Sequence, residues 1–99
     1  MYLGIDLGTS GVKVLLIDAG QAVVASATAA LDVTRKHTGW SEQDPRDWVR
    51  ATEAAIGQIR ASHPQELGAV AGIGLSGQMH GAVLLDREDQ VLRPCILWN

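Results

Sequence analysis

The sequence predicts an α/β fold on a mixed sheet, with three antiparallel strands, a crossover helix and then a parallel strand. Three observations carry this. Two short turns, Gly8-Thr9-Ser10-Gly11 and Asp18-Ala19-Gly20-Gln21, join successive apolar runs and make them antiparallel neighbours. The first helix signal appears only after the third run, at Asp44-Pro45-Arg46-Asp47. A further apolar run, Val70–Leu75, follows that helix and is expected to join the sheet in parallel.

The first strand is expected over Tyr2–Leu7, apolar except for Asp6. The second is Val12–Asp18, where Val12, Val14 and Leu16 alternate with Lys13, Leu15 and Ile17. Both sets are largely apolar, so the sheet is expected to be covered on both faces. Gly20 is expected to supply the positive φ of the next turn, and Ala22–Ala30 is the third strand. Leu31–Ser41 has weak periodicity and reads as an extended excursion.

The helix is expected near 45–61, with Asp44 as N-cap, Pro45 at N1 and Asp47 at N3. Trp48, Val49, Thr52, Ala55, Ile56 and Ile59 form its apolar face, and Ser62-His63-Pro64 ends it. Beyond the fourth strand, Ala82–Leu85 reads as a fifth, and Asp86–Gln90 turns into Val91–Leu97. A dinucleotide-binding unit would start a helix straight after its glycine loop, and Val12–Ile17 is strand-like instead.

Composition narrows the function classes. Of the 99 residues, 46% are apolar, within the usual globular range of roughly 45–50%. The formal charge of −3 and the scattered basic residues give no positive stripe for nucleic acid. No apolar stretch approaches the length of a membrane span, and no basic leader precedes Asp6, so neither a membrane segment nor a signal peptide is expected. The single cysteine, Cys95, lies in an apolar run and reads as core filler suited to a reducing, cytoplasmic setting. The three histidines show no metal-ligand spacing.

Asp6 is the residue to explain, because a carboxylate among Leu3, Ile5 and Leu7 costs several kcal/mol unless something pairs with it. A hydrated Mg²⁺ ion suits that hard oxygen ligand. The plainer alternative is that Asp6 caps the loop by accepting from the Thr9 and Ser10 amides. Gly8 and Gly11 let the backbone approach a ligand, and the Thr9 and Ser10 hydroxyls and nearby amides can donate to phosphate oxygens. Lys13 either reaches a phosphoryl oxygen or is an ordinary solvent-facing lysine. The second candidate is Ser76-Gly77-Gln78-Met79-His80-Gly81, a polar loop placed to line a crevice. There Gln78 offers a donor and an acceptor, and His80 offers two ring nitrogens.

Four segments carry a resemblance: DLGTSGVK at 6–13, WSEQDPRDW at 40–48, GLSGQMHG at 74–81 and LRPCILWN at 92–99. Together they resemble the amino-terminal part of the FGGY family of carbohydrate kinases, and within it the bacterial xylulose kinase branch. The resemblance runs the full 99 residues, which implies that the chain is the amino-terminal part of the first kinase domain. It implies a ribonuclease H-like (actin-like ATPase) fold, ATP and Mg²⁺ as cofactors, and phosphorylation of D-xylulose at its 5-hydroxyl. It also implies that Asp6 lies at the metal–phosphate end of the cleft, that Gly8, Thr9, Ser10 and Gly11 form the first phosphate hairpin, and that Lys13 stands close behind. Met79 and His80 match the pair that contacts the sugar, with Gln78 before them, and Trp98 and Asn99 belong to the next segment on the sugar side.

Members of the family are several times longer, and their catalytic aspartate lies beyond the position of Asn99, so these 99 residues alone are expected to be inert. The partners implied are the sugar and the remainder of the kinase chain; apolar edges of the later strands, Val91–Leu97 above all, are expected to be exposed and to invite self-association into a homo-oligomer. Glycerol or another pentulose kinase is the alternative within the family, since glycerol kinases place an arginine–glutamate pair where this chain has Met79-His80. From another class, the alternative is a non-catalytic binding module with a vestigial nucleotide fold.

Overall fold

In the computed structural model, which describes residues 1–98, both short turns join antiparallel strands. Strands β1 (Tyr2–Leu7), β2 (Gly11–Ile17) and β3 (Val23–Ala30) form the meander. The β2–β3 turn is held by Asp18, whose Oδ1 accepts from the Gly20 and Ala22 amides, both at 2.9 Å. Its positive φ falls on Gln21, at 68°, and not on Gly20. The left-handed residue is the one that closes the loop onto a bulge, and the register shifts at Leu16/Ile17 beside it. The same device recurs later. Asp86 Oδ1 accepts from the Glu88 and Gln90 amides, and Asp89 takes φ 62°.

Helix α1 spans Pro45–Ser62, with Pro45 at its first position and Asp44 as N-cap accepting from the Arg46 amide. A short α2 (Pro64–Gly68), which the sequence did not announce, leads into β5 (Gly72–Ser76). This strand pairs in parallel with β1, giving the order β3-β2-β1-β5. An antiparallel meander, a crossover helix and a parallel return beside the first strand are the opening half of a ribonuclease H-like sheet.

Alternation sorts the side chains into two faces. Leu3, Val12, Val14, Leu16 and Ala27 are buried on one face, beneath Ala51, Ala55 and Ile59 of α1. Burial of each Leu, Ile or Val side chain contributes about 1.5–3 kcal/mol. Val49 departs from the expected helix face. It is 59% exposed, because the buried stripe runs through Ala51, Ala55 and Ile59. The other sheet face, with Asp6, Lys13, Gly74 and Ser76, carries no helix among the described residues, so the expected two-sided cover is absent there.

The last third also differs from expectation. Ala82–Leu85 forms no strand, only a single bridge from Leu85 to Val91. Val91–Leu97 reduces to β6 (Cys95–Ile96), which pairs with β4 (Glu42–Gln43) in a separate two-stranded ribbon. Apolar runs need a neighbour with open backbone groups, and here the polar Glu42-Gln43 pair supplied it. Ile73, Leu75, Leu84, Leu92 and Ile96 are left exposed.

Candidate functional site

Asp6 points away from the core. Strand alternation puts Leu3, Ile5 and Leu7 on the helix side and Asp6 on the open face, exposed, opposite Lys13 in β2 and Ser76 in β5. The burial penalty expected for it therefore does not arise. Ser76 Oγ donates to Asp6 Oδ1 at 2.7 Å, while no Thr9 or Ser10 amide caps it. A shallow depression of about 450 Å³ surrounds Asp6, Lys13, Gly74 and Ser76. No trio of His, Cys, Asp or Glu able to hold a metal occurs among the described residues. Among the described residues Asp6 therefore has no all-protein cage around it, and a metal here could take only the one carboxylate from this chain.

The β1–β2 loop is closed by the Gly8 amide donating to the Gly11 carbonyl at 3.0 Å. The amides of Thr9 and Ser10 donate to nothing among the described residues. The glycine at 11 has a reason the sequence did not reveal. A Cβ there would lie 2.8 Å from the Ala29 carbonyl oxygen, so its absence lets β3 approach β2.

Two glutamines converge on Thr9. Gln78 Nε2 donates to Thr9 Oγ1 at 3.2 Å, bringing the second candidate loop onto the first across 69 residues. Gln43, 2% exposed, donates through Nε2 to the carbonyls of Thr9 at 2.6 Å and Asp32 at 3.3 Å, and its Oε1 accepts from Trp48 Nε1 at 2.9 Å. Beside it the buried Glu42 is paired with Arg93. Gln43 is the site residue that sequence reasoning missed, and Ser76, expected only as part of the crevice loop, was not foreseen as the partner of Asp6. A Glu-Gln pair before a helix cap reads as loop, and Ser76 is recognisable only once the parallel register is known.

The residues expected on the sugar side are less concentrated. His80 adopts φ 55°, between Gly77 and Gly81, and lies at the edge of a depression of about 360 Å³ with Leu84, Arg93 and Ile96. Gly81 lies close to the ribbon, since a Cβ there would stand 3.0 Å from Cys95 Sγ and the thiol would have to shift by a few tenths of an ångström. Met79 and Trp98 are exposed, and Trp98 does not line the His80 depression although Ile96 and Leu97 do. Asn99 lies outside the described residues. Trp40, exposed and edge-on to His37 at 4.5 Å, walls a neighbouring depression with Arg93 and Ile96.

The N-terminal domain of the FGGY family of carbohydrate kinases matches residues 1–99. The chain belongs to that family. Over its whole length this FGGY chain is 56% identical to the xylulose kinase of Klebsiella pneumoniae and 54% identical to that of Escherichia coli K12. It covers 20% of each, so it spans about a fifth of the length of these relatives. A crystal structure of a xyloylose kinase from Brucella ovis superposes with a TM-score of 0.96 at 66% identity, covering 99% of the FGGY chain and 21% of the other. No helix among the described residues is long and apolar enough to cross a membrane.

Proposed function

We propose that the chain is the amino-terminal part of the first domain of an ATP-dependent carbohydrate kinase, and that the full-length kinase phosphorylates D-xylulose at its 5-hydroxyl. The observation that carries this is the Gln78–Thr9 bond. It joins the hydroxyl-rich hairpin to the Gln78-Met79-His80 loop where the parallel strands β1 and β5 end. Identity with relatives named xylulose kinase supports the choice of sugar.

In this reading the Thr9 and Ser10 amides and hydroxyls, between Gly8 and Gly11, hold phosphate oxygens, and Lys13 adds a positive charge on the same face as Asp6. Asp6, with Ser76 orienting one of its oxygens, holds a hydrated Mg²⁺, which neutralises charge on the transferring phosphoryl group when bound. Met79 and His80 hold the sugar, with Gln78 offering its Oε1 and Trp98 and Asn99 contributing from the next segment. The base that deprotonates the sugar hydroxyl comes from the remainder of the chain. That remainder also covers the exposed Ile73, Leu75, Leu84 and Ile96. Sedimentation of the full-length protein distinguishes this cover from a second copy in a homo-oligomer. The enzyme works in the cytoplasm, which suits the free, buried thiol of Cys95.

ADP release by the full-length protein, measured with D-xylulose and with glycerol, tests the proposal. The expected result is a higher kcat/KM for D-xylulose. Preference for glycerol would refute the sugar assignment, and no sugar-dependent release with either would refute the kinase reading.

A further inference from the structure

The bonds around Thr9 fix which way its hydroxyl proton is free to point. An indole N–H only donates, so Trp48 fixes the orientation of the Gln43 amide, and both Gln43 amide protons face carbonyls. The Thr9 carbonyl is thereby held, and the loop is closed on its other side by the Gly8–Gly11 bond. Rotation of the Thr9 hydroxyl is the freedom that remains. The Gln78 NH₂ group also only donates, so Thr9 Oγ1 accepts at 3.2 Å and keeps its own proton for another acceptor.

We propose that Gln78 is a positioning residue that sets the Thr9 hydroxyl as a donor toward the nucleotide's phosphates and couples the sugar loop to the phosphate loop. This rests on the nucleotide-site reading given under Proposed function and adds to it a role on the phosphate side for a residue of the sugar loop. Because Gln78 directly precedes Met79 and His80, whatever fixes those two also fixes the amide that orients Thr9. A sugar that orders Met79 and His80 is therefore expected to tighten nucleotide binding through Gln78, and by reciprocity the nucleotide tightens sugar binding by the same factor.

The test is a double-mutant cycle in the full-length kinase, reading calorimetric affinity for a non-hydrolysable ATP analogue with Mg²⁺. Gln78→Met keeps the length of the side chain and removes its donor. It is expected to weaken the analogue roughly five- to tenfold, the worth of about one hydrogen bond. In a Thr9→Val background the same change should have no further effect, and in a Thr9→Ser background, which keeps the hydroxyl, the effect should return. Gln78→Glu, of equal size, supplies a second variant. Its carboxylate only accepts, reverses the hydroxyl, and is expected to weaken binding more than Gln78→Met. Effects of Gln78→Met and Thr9→Val that simply multiply would overturn the coupling while leaving the nucleotide site intact. Wild-type protein that binds no analogue would overturn the nucleotide-site reading and this inference with it.

Discussion

Gly11→Ala tests the reason given for the glycine that closes the β1–β2 hairpin. The added Cβ would lie 2.8 Å from the Ala29 carbonyl oxygen, 3.5 Å from its carbon and 3.6 Å from Ala30 Cα. All three atoms are backbone of β3, so no side-chain rotation relieves the clash. Ordinary contact needs roughly half an ångström more, and the strands must separate at the Gly11–Ala30 pair. The adjacent bond from the Leu31 amide to the Ser10 carbonyl, at 2.9 Å, lies on the same hinge and must stretch with them. Overpacking of this kind costs about 1–3 kcal/mol, and weakening one backbone bond adds about 0.5–1.5. Restricting the unfolded chain returns about 0.4–1 kcal/mol. The net expectation is a loss of about 2 kcal/mol. Gly57→Ala is the matched control. A Cβ there meets nothing within 4 Å, and in the middle of α1 the same substitution should stabilise by about 0.5–1 kcal/mol. Urea midpoints of the two variants in the full-length protein measure both. A Gly11→Ala protein as stable as its parent would refute the close-approach argument and return Gly11 to a purely ligand-facing role.

Asp6→Ala should lower kcat by about two orders of magnitude or more while sugar affinity survives, as loss of strong transition-state electrostatics does. His80→Ala should instead weaken D-xylulose binding and kcat/KM with nucleotide affinity little changed; separate titrations with each ligand decide between these roles. The Arg46 side chain and amide hold the Asp44 carboxyl below its usual range. The folded state therefore binds fewer protons there than the unfolded one. Stability from this cap is complete above the ordinary carboxylate pKa of about 3.9 and is lost as pH falls through the lowered value. Asp44→Ala should cost about 1 kcal/mol at pH 7, with the gap closing in acid melts. Gln21→Gly, which removes a left-handed side chain from the β2–β3 turn, should be neutral to stabilising by under about 1 kcal/mol in the same denaturation assay.

The sheet order was legible because turn length alone forces antiparallel neighbours, and Asp44-Pro45 marks a helix start without reference to the rest of the fold. The helix face was legible only in part. Val49 matches the apolar pattern, yet α1 contacts the sheet along Ala51, Ala55 and Ile59, two small residues that let it sit close and one large one that fills the core. The β4–β6 ribbon was hidden because its first strand is Glu42-Gln43, whose burial is stabilised by Arg93, Trp48 and two carbonyls from elsewhere in the chain. The two candidate loops were found from glycine and hydroxyl content. Their junction was not, since Thr9 and Gln78 meet only through the parallel pairing of β1 with β5. Asp6 was noticed for a burial it does not have. Its partner Ser76 follows from the same register.

The central place of β1 also sets an order of assembly. Its bonds to β2 can form within a hairpin, on a timescale of about 1–10 μs. Its other edge waits for β5, and the contacts that define the site, Ser76 with Asp6 and Gln78 with Thr9, span 70 and 69 residues. Relative to a four-residue turn, closing such a span is about four doublings of loop length, or about 2.5 kcal/mol of added entropy. The Gly8–Gly11 hairpin is thus shaped early, and the groups that contact it and Asp6 arrive late. During synthesis Asp6 leaves the ribosome well before Ser76 exists, so a nascent chain carries the loop for some time before it carries the site.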